Sequence, residues 1–279
     1  MLLNLKVIHK PNTLAEAISL LKQPGNYPLY GGAALQRRAS PEVTAAVDLS
    51  RLNLAQVDDS ENSLRLGTML TLEQARQACD DRAADHPKLA GLGAILKAEM
   101  PETLRHTLTL GDLLIERDPQ SLTLTALLAL GGIVKRIDVE MRFTMAAWLL
   151  LDQDISRYLL AQVRITRGPK RCAVAVEKVA RTPADAPIVG AVAYVKVDDD
   201  GVTHHSALAL CGTAPTPLPQ PKAASAWDDA NDLDAALDQL ELDPPGDHWG
   251  SREYRIEMAR VVARRALVSA YEQAQAVGQ

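Results

Sequence analysis

The stretch Leu29-Tyr30-Gly31-Gly32-Ala33-Ala34-Leu35 decides the fold of this chain, together with a second one, Arg105-His106-Thr107-Leu108-Thr109-Leu110-Gly111-Asp112-Leu113. Glycine has no Cβ and adopts positive φ, so the N–H groups around a glycine pair approach an anion closely. The first stretch therefore predicts a loop that cradles a phosphate group. Taken alone, a glycine pair is explained more simply as an ordinary tight turn.

The elements around these two stretches alternate between strand and helix. Thr13 and Glu16 have the spacing of a capping box and open an amphipathic helix. We predict a strand, a helix, a strand and a helix start over residues 1–53, and short strands alternating with helices over 54–165. The clearest of these later helices span 71–80 and 123–129.

After a natural joint at Thr166-Arg167-Gly168-Pro169 the pattern changes to alternating apolar and polar residues. Such segments predict a small antiparallel sheet with a turn at 198–201, and they span 173–179, 188–197 and 204–210. A stretch rich in proline, alanine and aspartate follows over 213–250, with one helix predicted at 233–240. Alternating elements followed by a run of strands and a covering helix predict an α+β fold in two or three lobes.

A long final helix is predicted over 251–274, and its periodicity separates two faces. The apolar stripe comprises Tyr254, Met258, Val261, Val262, Ala266 and Leu267. The charged residues Arg255, Glu257, Arg260, Arg264 and Arg265 fall largely elsewhere. Packing of a helix on a sheet explains this segment without any catalytic role.

Composition excludes several classes of function. The chain has 279 residues, a net charge of −5 and basic residues only in short pairs such as Arg264-Arg265, so we expect no nucleic-acid partner. No apolar run reaches roughly 18 residues. The start, Met1-Leu2-Leu3-Asn4-Leu5, lacks the basic region and long apolar core of a signal peptide. These patterns predict a cytoplasmic protein with no membrane span.

The cysteines and histidines give no sign of a metal. Cys79, Cys172 and Cys211 are far apart and form no Cys-x-x-Cys pair, which argues against a zinc site or an iron–sulfur cluster in this chain. No carboxylate or cysteine is spaced to complete a site with His204-His205. We expect any iron–sulfur cluster to belong to another polypeptide, and three unpaired thiols fit a reducing compartment.

The succession of motifs over nearly the whole chain resembles the FAD-binding medium subunit, or middle domain, of the molybdenum hydroxylases, the carbon monoxide and xanthine dehydrogenase group. That family runs from an extended start and a helix through an Ala-Gly-Gly-Thr-Asp-Leu loop and a Val-Asp-Leu strand. The later landmarks also match, and the most specific is the Tyr254-Arg255 ending with its downstream Arg264-Arg265-Ala266-Leu267. The others are Glu177-Lys178-Val179-Ala180-Arg181, Asp185 and Leu210-Cys211-Gly212-Thr213-Ala214-Pro215.

The resemblance implies a PCMH-type fold, in which a two-lobed FAD-binding domain is followed by a small C-terminal domain of antiparallel sheet plus helices. The lobes correspond to 1–53 and 54–168, and the C-terminal domain to 169–279. In the family, the diphosphate of FAD lies on the glycine loops and its isoalloxazine ring faces the third lobe. The carried-over cofactor positions are Gly31, Gly32, Ala33, Ala34, Leu35, Thr109, Gly111 and Asp112 on the loops, with Lys178 and Asp185 on the ring side.

Several of these positions depart from the family's pattern. Ala33 and Ala34 stand where the family has polar side chains. In the second stretch Leu108 and Asp112 replace glycines, and Leu113 replaces an asparagine. A carboxylate about 4 Å from a phosphate oxygen costs about 4 kcal/mol at an effective dielectric constant of roughly 20, which is roughly a thousandfold in affinity. We therefore expect FAD binding to be weak or absent, unless the loop turns the carboxylate outward.

A further departure lies at Ser121-Leu122, where the family has a Ser-Asp pair.

Three hypotheses for the function of the chain follow. In the first, the chain is a structural subunit of a hetero-oligomer with a molybdopterin-binding large subunit and an iron–sulfur small subunit. In the second, it binds FAD through Gly31, Gly32, Thr109 and Gly111 and passes electrons from the iron–sulfur partner to an acceptor. In the third, it is an unrelated protein that binds a small molecule.

Overall fold

The structure is a computed structural model that describes residues 4–38, 40–230 and 232–277. Residues 1–3, 39, 231, 278 and 279 lie outside the described part. The predicted segments 1–53 and 169–279 include some of these residues. The first three residues of the start Met1-Leu2-Leu3-Asn4-Leu5 are also among them.

The order of helices and strands follows the predicted alternation over residues 1–53 and the predicted run of strands after 165. Between 72 and 129, however, five helices follow one another, so the strict alternation predicted for 54–165 was wrong there. The strands are β1 (Val7–His9), β2 (Asn26–Leu29), β3 (Ala45–Asp48), β4 (Val57–Ser60), β5 (Ser63–Gly67), β6 (Ile133–Arg136), β7 (Met141–Thr144), β8 (Leu160–Thr166), β9 (Cys172–Val179), β10 (Val189–Val197), β11 (Thr203–Cys211) and β12 (Leu218–Pro219). The helices are α1 (Leu14–Leu21), α2 (Ala33–Arg38), α3 (Leu72–Asp80), α4 (Pro87–Glu99), α5 (Glu102–Arg105), α6 (Leu110–Glu116), α7 (Leu122–Ala129), α8 (Met145–Leu149), α9 (Pro221–Ala230), α10 (Leu233–Asp238) and α11 (Arg252–Ala276).

The first of two compact units contains Met1–Ala75, Glu102–Arg117 and Ile133–Ile165. Its first sheet has the order β1-β3-β2, with both pairs parallel. Parallel neighbours need crossover connections, and α1 and α2 supply them. The second sheet of this unit has the order β4-β5-β8-β6-β7.

Local signals explain why α1 begins where it does. The Thr13 side chain accepts a hydrogen bond from the Glu16 N–H, and the Glu16 carboxylate accepts one from the Asn12 N–H. These bonds satisfy N–H groups that a helix start otherwise leaves without partners. The predicted opening of this helix is confirmed.

The second unit contains Arg76–Pro101, Asp118–Gly132 and Thr166–Gln279. Its sheet has the order β12-β11-β10-β9 and is antiparallel throughout. The predicted turn joins β10 to β11, where the Asp198 carboxylate accepts hydrogen bonds from the Asp200 and Val202 N–H groups. The main core of this unit lies between the sheet and α11. The predicted small antiparallel sheet is confirmed, whereas the residue boundaries proposed for the three domains stay predictions.

Two features of the second unit differ from the sequence analysis. The stretch 213–250 contains a further helix, α9, in addition to the predicted one. On α11, Arg255 is 2% exposed while Tyr254 is 41% exposed, so the predicted assignment of these two residues to faces was wrong. None of the helices in the described part is long and apolar enough to cross a membrane.

Candidate cofactor-binding site

The first glycine stretch forms a loop between β2 and α2. Gly32 has a φ of +102°, a conformation that favours glycine. At Gly31, an added Cβ would overlap the Asp112 carboxylate and would lie 2.6 Å from the Thr107 carbonyl oxygen. Gly31 is therefore required because other groups pack against its Cα. Ala33 is the first residue of α2, and Leu35 lies in a small apolar core with Tyr27, Val43 and Ala46.

The carboxylate of Asp112 lies on this loop. Its Oδ2 accepts a hydrogen bond from the Gly31 N–H at 2.9 Å, and its Oδ1 accepts one from the Ala34 N–H at 3.1 Å. Oδ2 also accepts hydrogen bonds from the N–H of Thr109 at 3.1 Å and from its hydroxyl at 2.9 Å. Asp112 is 1% exposed. The side chain thus turns inward and engages amide donors of the first glycine stretch.

The same side chain also starts helix α6. The Thr109 side chain accepts a hydrogen bond from the Asp112 N–H while Asp112 bonds back to the Thr109 N–H, which together make a capping box. The pattern Thr-x-x-Asp is therefore satisfied locally, and it places the carboxylate within reach of Gly31 and Ala34.

The second glycine stretch directs its backbone donors into the protein. The Gly111 N–H donates to the Thr68 carbonyl oxygen at 2.8 Å, and the Leu110 N–H donates to that of Leu70 at 3.0 Å. Leu108 and Leu113, which replace a glycine and an asparagine of the family's pattern, are 8% and 4% exposed. These leucines serve as core residues, and the stretch is bonded to the segment that precedes α3.

Tyr30 belongs to the first glycine stretch and contacts the second. Its ring packs against the Cα of Gly111, where an added Cβ would lie 2.6 Å from the ring Cγ. Its hydroxyl donates to the Tyr158 carbonyl oxygen at 2.9 Å and accepts from the Leu160 N–H at 2.8 Å. The ring is 6% exposed, and burial raises the pKa of its hydroxyl well above 10. Tyr30 is thus a fixed, neutral support for the loop.

A second carboxylate occupies the start of helix α7 in the other unit. Glu99 Oε1 accepts a hydrogen bond from the Ser121 hydroxyl at 2.8 Å, and Oε2 accepts one from the Thr123 N–H at 2.6 Å. Leu122, at the position of an aspartate in the family's pattern, is 1% exposed and packs against Gly190. Residues of this chain therefore satisfy the beginning of α7 as well.

The position of Glu99 predicts a pH-dependent contribution to stability. Desolvation raises the pKa of the Glu99 carboxyl above its ordinary value of 4.5. A raised pKa means that the folded state binds this proton more tightly than the unfolded state does, so this contribution is present below pH 4.5 and is lost as the pH rises through the folded pKa. We expect Glu99→Gln to abolish this part of the pH dependence.

Urea unfolding tests the Glu99 prediction. Both proteins are measured at intervals of about one pH unit between roughly pH 4 and pH 8. The difference in free energy of unfolding between Glu99→Gln and the wild type should shift in favour of the variant as the pH rises. Glu61→Gln, which alters an exposed carboxylate, is the matched control and should leave that difference flat. Parallel curves for the wild type and Glu99→Gln would contradict the assignment.

Lys178 and Asp185 lie together in the second unit. The Lys178 ammonium donates to the carbonyl oxygens of Pro183 and Asp185 at 2.9 and 3.2 Å. The Asp185 carboxylate pairs with Arg181 at 3.3 Å, and the Arg181 guanidinium lies 4.0 Å from the centre of the Trp249 ring. The lysine proposed for the ring side of a flavin thus holds the turn that follows its own strand.

The thiols and histidines show no arrangement for metal chemistry in the described part. Cys79, Cys172 and Cys211 are buried free thiols, and burial raises the pKa of Cys79 and Cys211 to about 12, so these two are protonated at neutral pH. His204 and His205 are exposed on β11. Across the described residues, no three His, Cys, Asp or Glu side chains are placed to hold a metal ion.

A concavity of about 500 Å³ in the first unit was not anticipated from the sequence. Its wall includes Lys22, Asp138 and Arg157, together with Arg136 stacked 3.4 Å from the centre of the Tyr158 ring. Arg136 also pairs with Asp138 through two hydrogen bonds of 2.7 and 2.6 Å. Charges of both signs line this wall, and the predicted site residues do not contribute to it.

Two family models match the chain in the order expected from the motifs. One describes the FAD binding domain in molybdopterin dehydrogenase and matches residues 3–165, which is more than half of the chain. The chain belongs to this family. The other model describes the CO dehydrogenase flavoprotein C-terminal domain and matches residues 174–270 of this family member. The predicted relationship to the medium, flavoprotein-type subunit of molybdenum hydroxylases is confirmed.

Solved structures of the family share the fold. A chain of reconstituted CO dehydrogenase from Oligotropha carboxidovorans is 24% identical with a TM-score of 0.83, and the match covers 95% of this chain and 97% of that one. Carbon monoxide dehydrogenase from Hydrogenophaga pseudoflava gives 21% identity, a TM-score of 0.84 and coverages of 97% and 98%. Quinoline 2-oxidoreductase from Pseudomonas putida 86 gives 20%, 0.81, 97% and 98%. Comparison with curated protein sequences gives no match.

The residues of the two glycine stretches do not fit the diphosphate of the family's cofactor. Backbone N–H groups of a glycine loop hold a diphosphate by donating to its oxygens. Here Gly31 and Ala34 donate to the Asp112 carboxylate, and Gly111 donates to Thr68. A diphosphate at these amides would meet a negative side chain that already accepts their hydrogen bonds.

Proposed function

We propose that this chain is a medium-subunit homologue of a molybdenum hydroxylase in which FAD binding is eroded or lost and whose role is structural. The observation that carries the proposal is the position of the Asp112 carboxylate, which accepts hydrogen bonds from the Gly31 and Ala34 N–H groups. The repulsion expected between this carboxylate and a diphosphate corresponds to roughly a thousandfold loss of affinity at about 4 Å.

One further position supports the proposal independently of Asp112. Leu122, in the place of a polar residue, is buried against Gly190. This change replaces a group that could contact a cofactor by one that packs within the protein itself, while the fold of the family is kept over nearly the whole chain.

Retention of the fold without the cofactor contacts favours a role in assembly. We propose that the chain contacts a molybdopterin-binding large subunit and an iron–sulfur small subunit within a hetero-oligomer. In this proposal the redox groups belong to the partner chains.

Visible absorption and calorimetry test the loss of flavin. We expect the purified wild-type chain to be colourless and to give no saturable heat on titration with FAD. A family member that purifies with bound flavin serves as the positive control under the same buffer and salt conditions. Stoichiometric yellow protein would instead support the alternative, a subunit that carries electrons from an iron–sulfur partner to an acceptor.

Affinity purification from the native source tests the role in assembly. We expect the chain to recover a large molybdopterin-type polypeptide and a small cysteine-rich one in constant ratio. Recovery of this chain alone in repeated experiments at low and moderate salt would contradict the proposed partners, whatever the flavin content.

A further inference from the structure

The Asp112 carboxylate joins two distant parts of the first unit. The donors Gly31 and Ala34 lie 81 and 78 residues before it in the chain. A buried carboxylate is costly unless hydrogen bonds satisfy it, and here both oxygens accept bonds. Those bonds measure 2.9–3.1 Å. The Asp112 carboxylate is thus held as a bound anion would be, but it is a side chain of the protein itself.

The loop is shaped around this carboxylate. An added Cβ at Gly31 would overlap Oδ2 of Asp112, so the absence of a side chain at 31 makes the contact possible. Thr109 contributes its hydroxyl and its N–H to the same oxygen. These donors come from both glycine stretches and converge on one negative group.

We propose that Asp112 is a built-in replacement for the diphosphate of a dinucleotide, and that it holds the two glycine stretches together in a protein that lacks one. This inference rests on the proposed function, since a chain that binds FAD has no need of an internal anion. A tethered group is present at a high effective concentration. Free anions therefore compete poorly for the same amides.

Removal of the carboxylate tests the proposal without any flavin. In Asp112→Ala the donors of both stretches lose their partner, and the variant should unfold at a lower temperature than the wild type. Inorganic diphosphate is the probe, with sodium chloride at matched ionic strength as the control for screening. Diphosphate should raise the unfolding temperature of Asp112→Ala in a concentration-dependent manner and leave the wild type unchanged. The expected gain in diphosphate affinity is on the order of a thousandfold.

Two further variants keep the test decisive. Asp112→Asn has nearly the same size without the charge, and it should also be less stable than the wild type and respond to diphosphate if Asp112→Ala does not fold. Asp232→Ala is the matched control because Asp232 caps α10 through the Asp234 and Ala235 N–H groups, far from the glycine stretches in sequence. It should lose stability but gain no response to diphosphate.

The outcomes separate this inference from the proposed function. Folded Asp112 variants that are as stable as the wild type, or that show no response to diphosphate, would overturn the inference. Binding of FAD by the wild type would overturn the proposed function and is measured in a separate titration, which does not depend on the Asp112 variants.

Discussion

Arg255→Ala should lower the free energy of unfolding by about 4 kcal/mol, because two buried carbonyl oxygens lose a charged donor at about 1.5–3 kcal/mol each. The guanidinium donates to the Ile188 and Gly212 carbonyl oxygens at 2.6 and 3.0 Å. It also donates to both oxygens of Asp247 at 2.8 Å. One side chain on α11 thus joins the beginning of β10, the end of β11 and the segment before the helix. Arg255 is 2% exposed, so solvent does not reach these contacts readily.

The matched control for this prediction is on the same helix. Arg260 pairs with Asp238 at 3.1 Å, but the two side chains are 43% and 70% exposed. Exposed pairs contribute about 0–1 kcal/mol, so Arg260→Ala should change little. Arg255→Lys keeps the charge without the planar fork and should show most of the loss seen with alanine. Urea unfolding with equal m-values measures all three variants. Similar losses for Arg255→Ala and Arg260→Ala would refute the assigned role.

Gly111→Ala is the second change from which we expect a large effect. The new Cβ would lie 2.6 and 2.7 Å from the Cγ and Cε1 atoms of the Tyr30 ring. The ring cannot shift freely, because its hydroxyl is bonded to Tyr158 and Leu160. Overpacking costs about 1–3 kcal/mol, whereas alanine gains about 1 kcal/mol over glycine within a helix. Because the overlap falls on a ring that is held in place, we take the upper end of that cost, about 3 kcal/mol, and expect a net loss of about 2 kcal/mol in the free energy of unfolding.

Gly246→Ala is the control for Gly111→Ala. Its added Cβ would approach only the Arg252 nitrogen, at 3.6 Å. Its free energy of unfolding should stay within about 0.5 kcal/mol of the wild type. The comparison is made by urea denaturation in the same buffer. A Gly111→Ala protein that is as stable as the control would show that the contact with Tyr30 is loose.

The parts of the fold that the sequence predicted are those with local causes. The capping pattern at Thr13 and Glu16 opened α1 as predicted, and the turn at 198–201 joins two strands as predicted. Helix α9 was missed, although Pro221 at its first position and the spacing of Ala223 and Trp227 are typical of a helix start and an apolar face. Only the helix at 233–240 was predicted within this stretch rich in proline, alanine and aspartate.

Features that depend on distant partners were not predictable. Periodicity assigned Arg255 to the outer face of α11, since nothing local indicates the carbonyl groups of Ile188 and Gly212. At Asp112 the sequence predicted a negative group among the phosphate-binding positions. Its direction depends on the amides of Gly31 and Ala34, which only the folded chain brings near. The local spacing of Thr109 and Asp112 is that of a capping box, but it does not indicate the bonds to Gly31 and Ala34.

A covalently attached anion changes what controls the order of the glycine loop. Ligand-dependent order varies with the concentration of the ligand through mass action, whereas the Asp112 carboxylate is supplied once for every chain that is synthesised. The amides of Gly31 and Ala34 thus have a bonding partner in every folded copy of the chain, whatever the concentration of free anions around it.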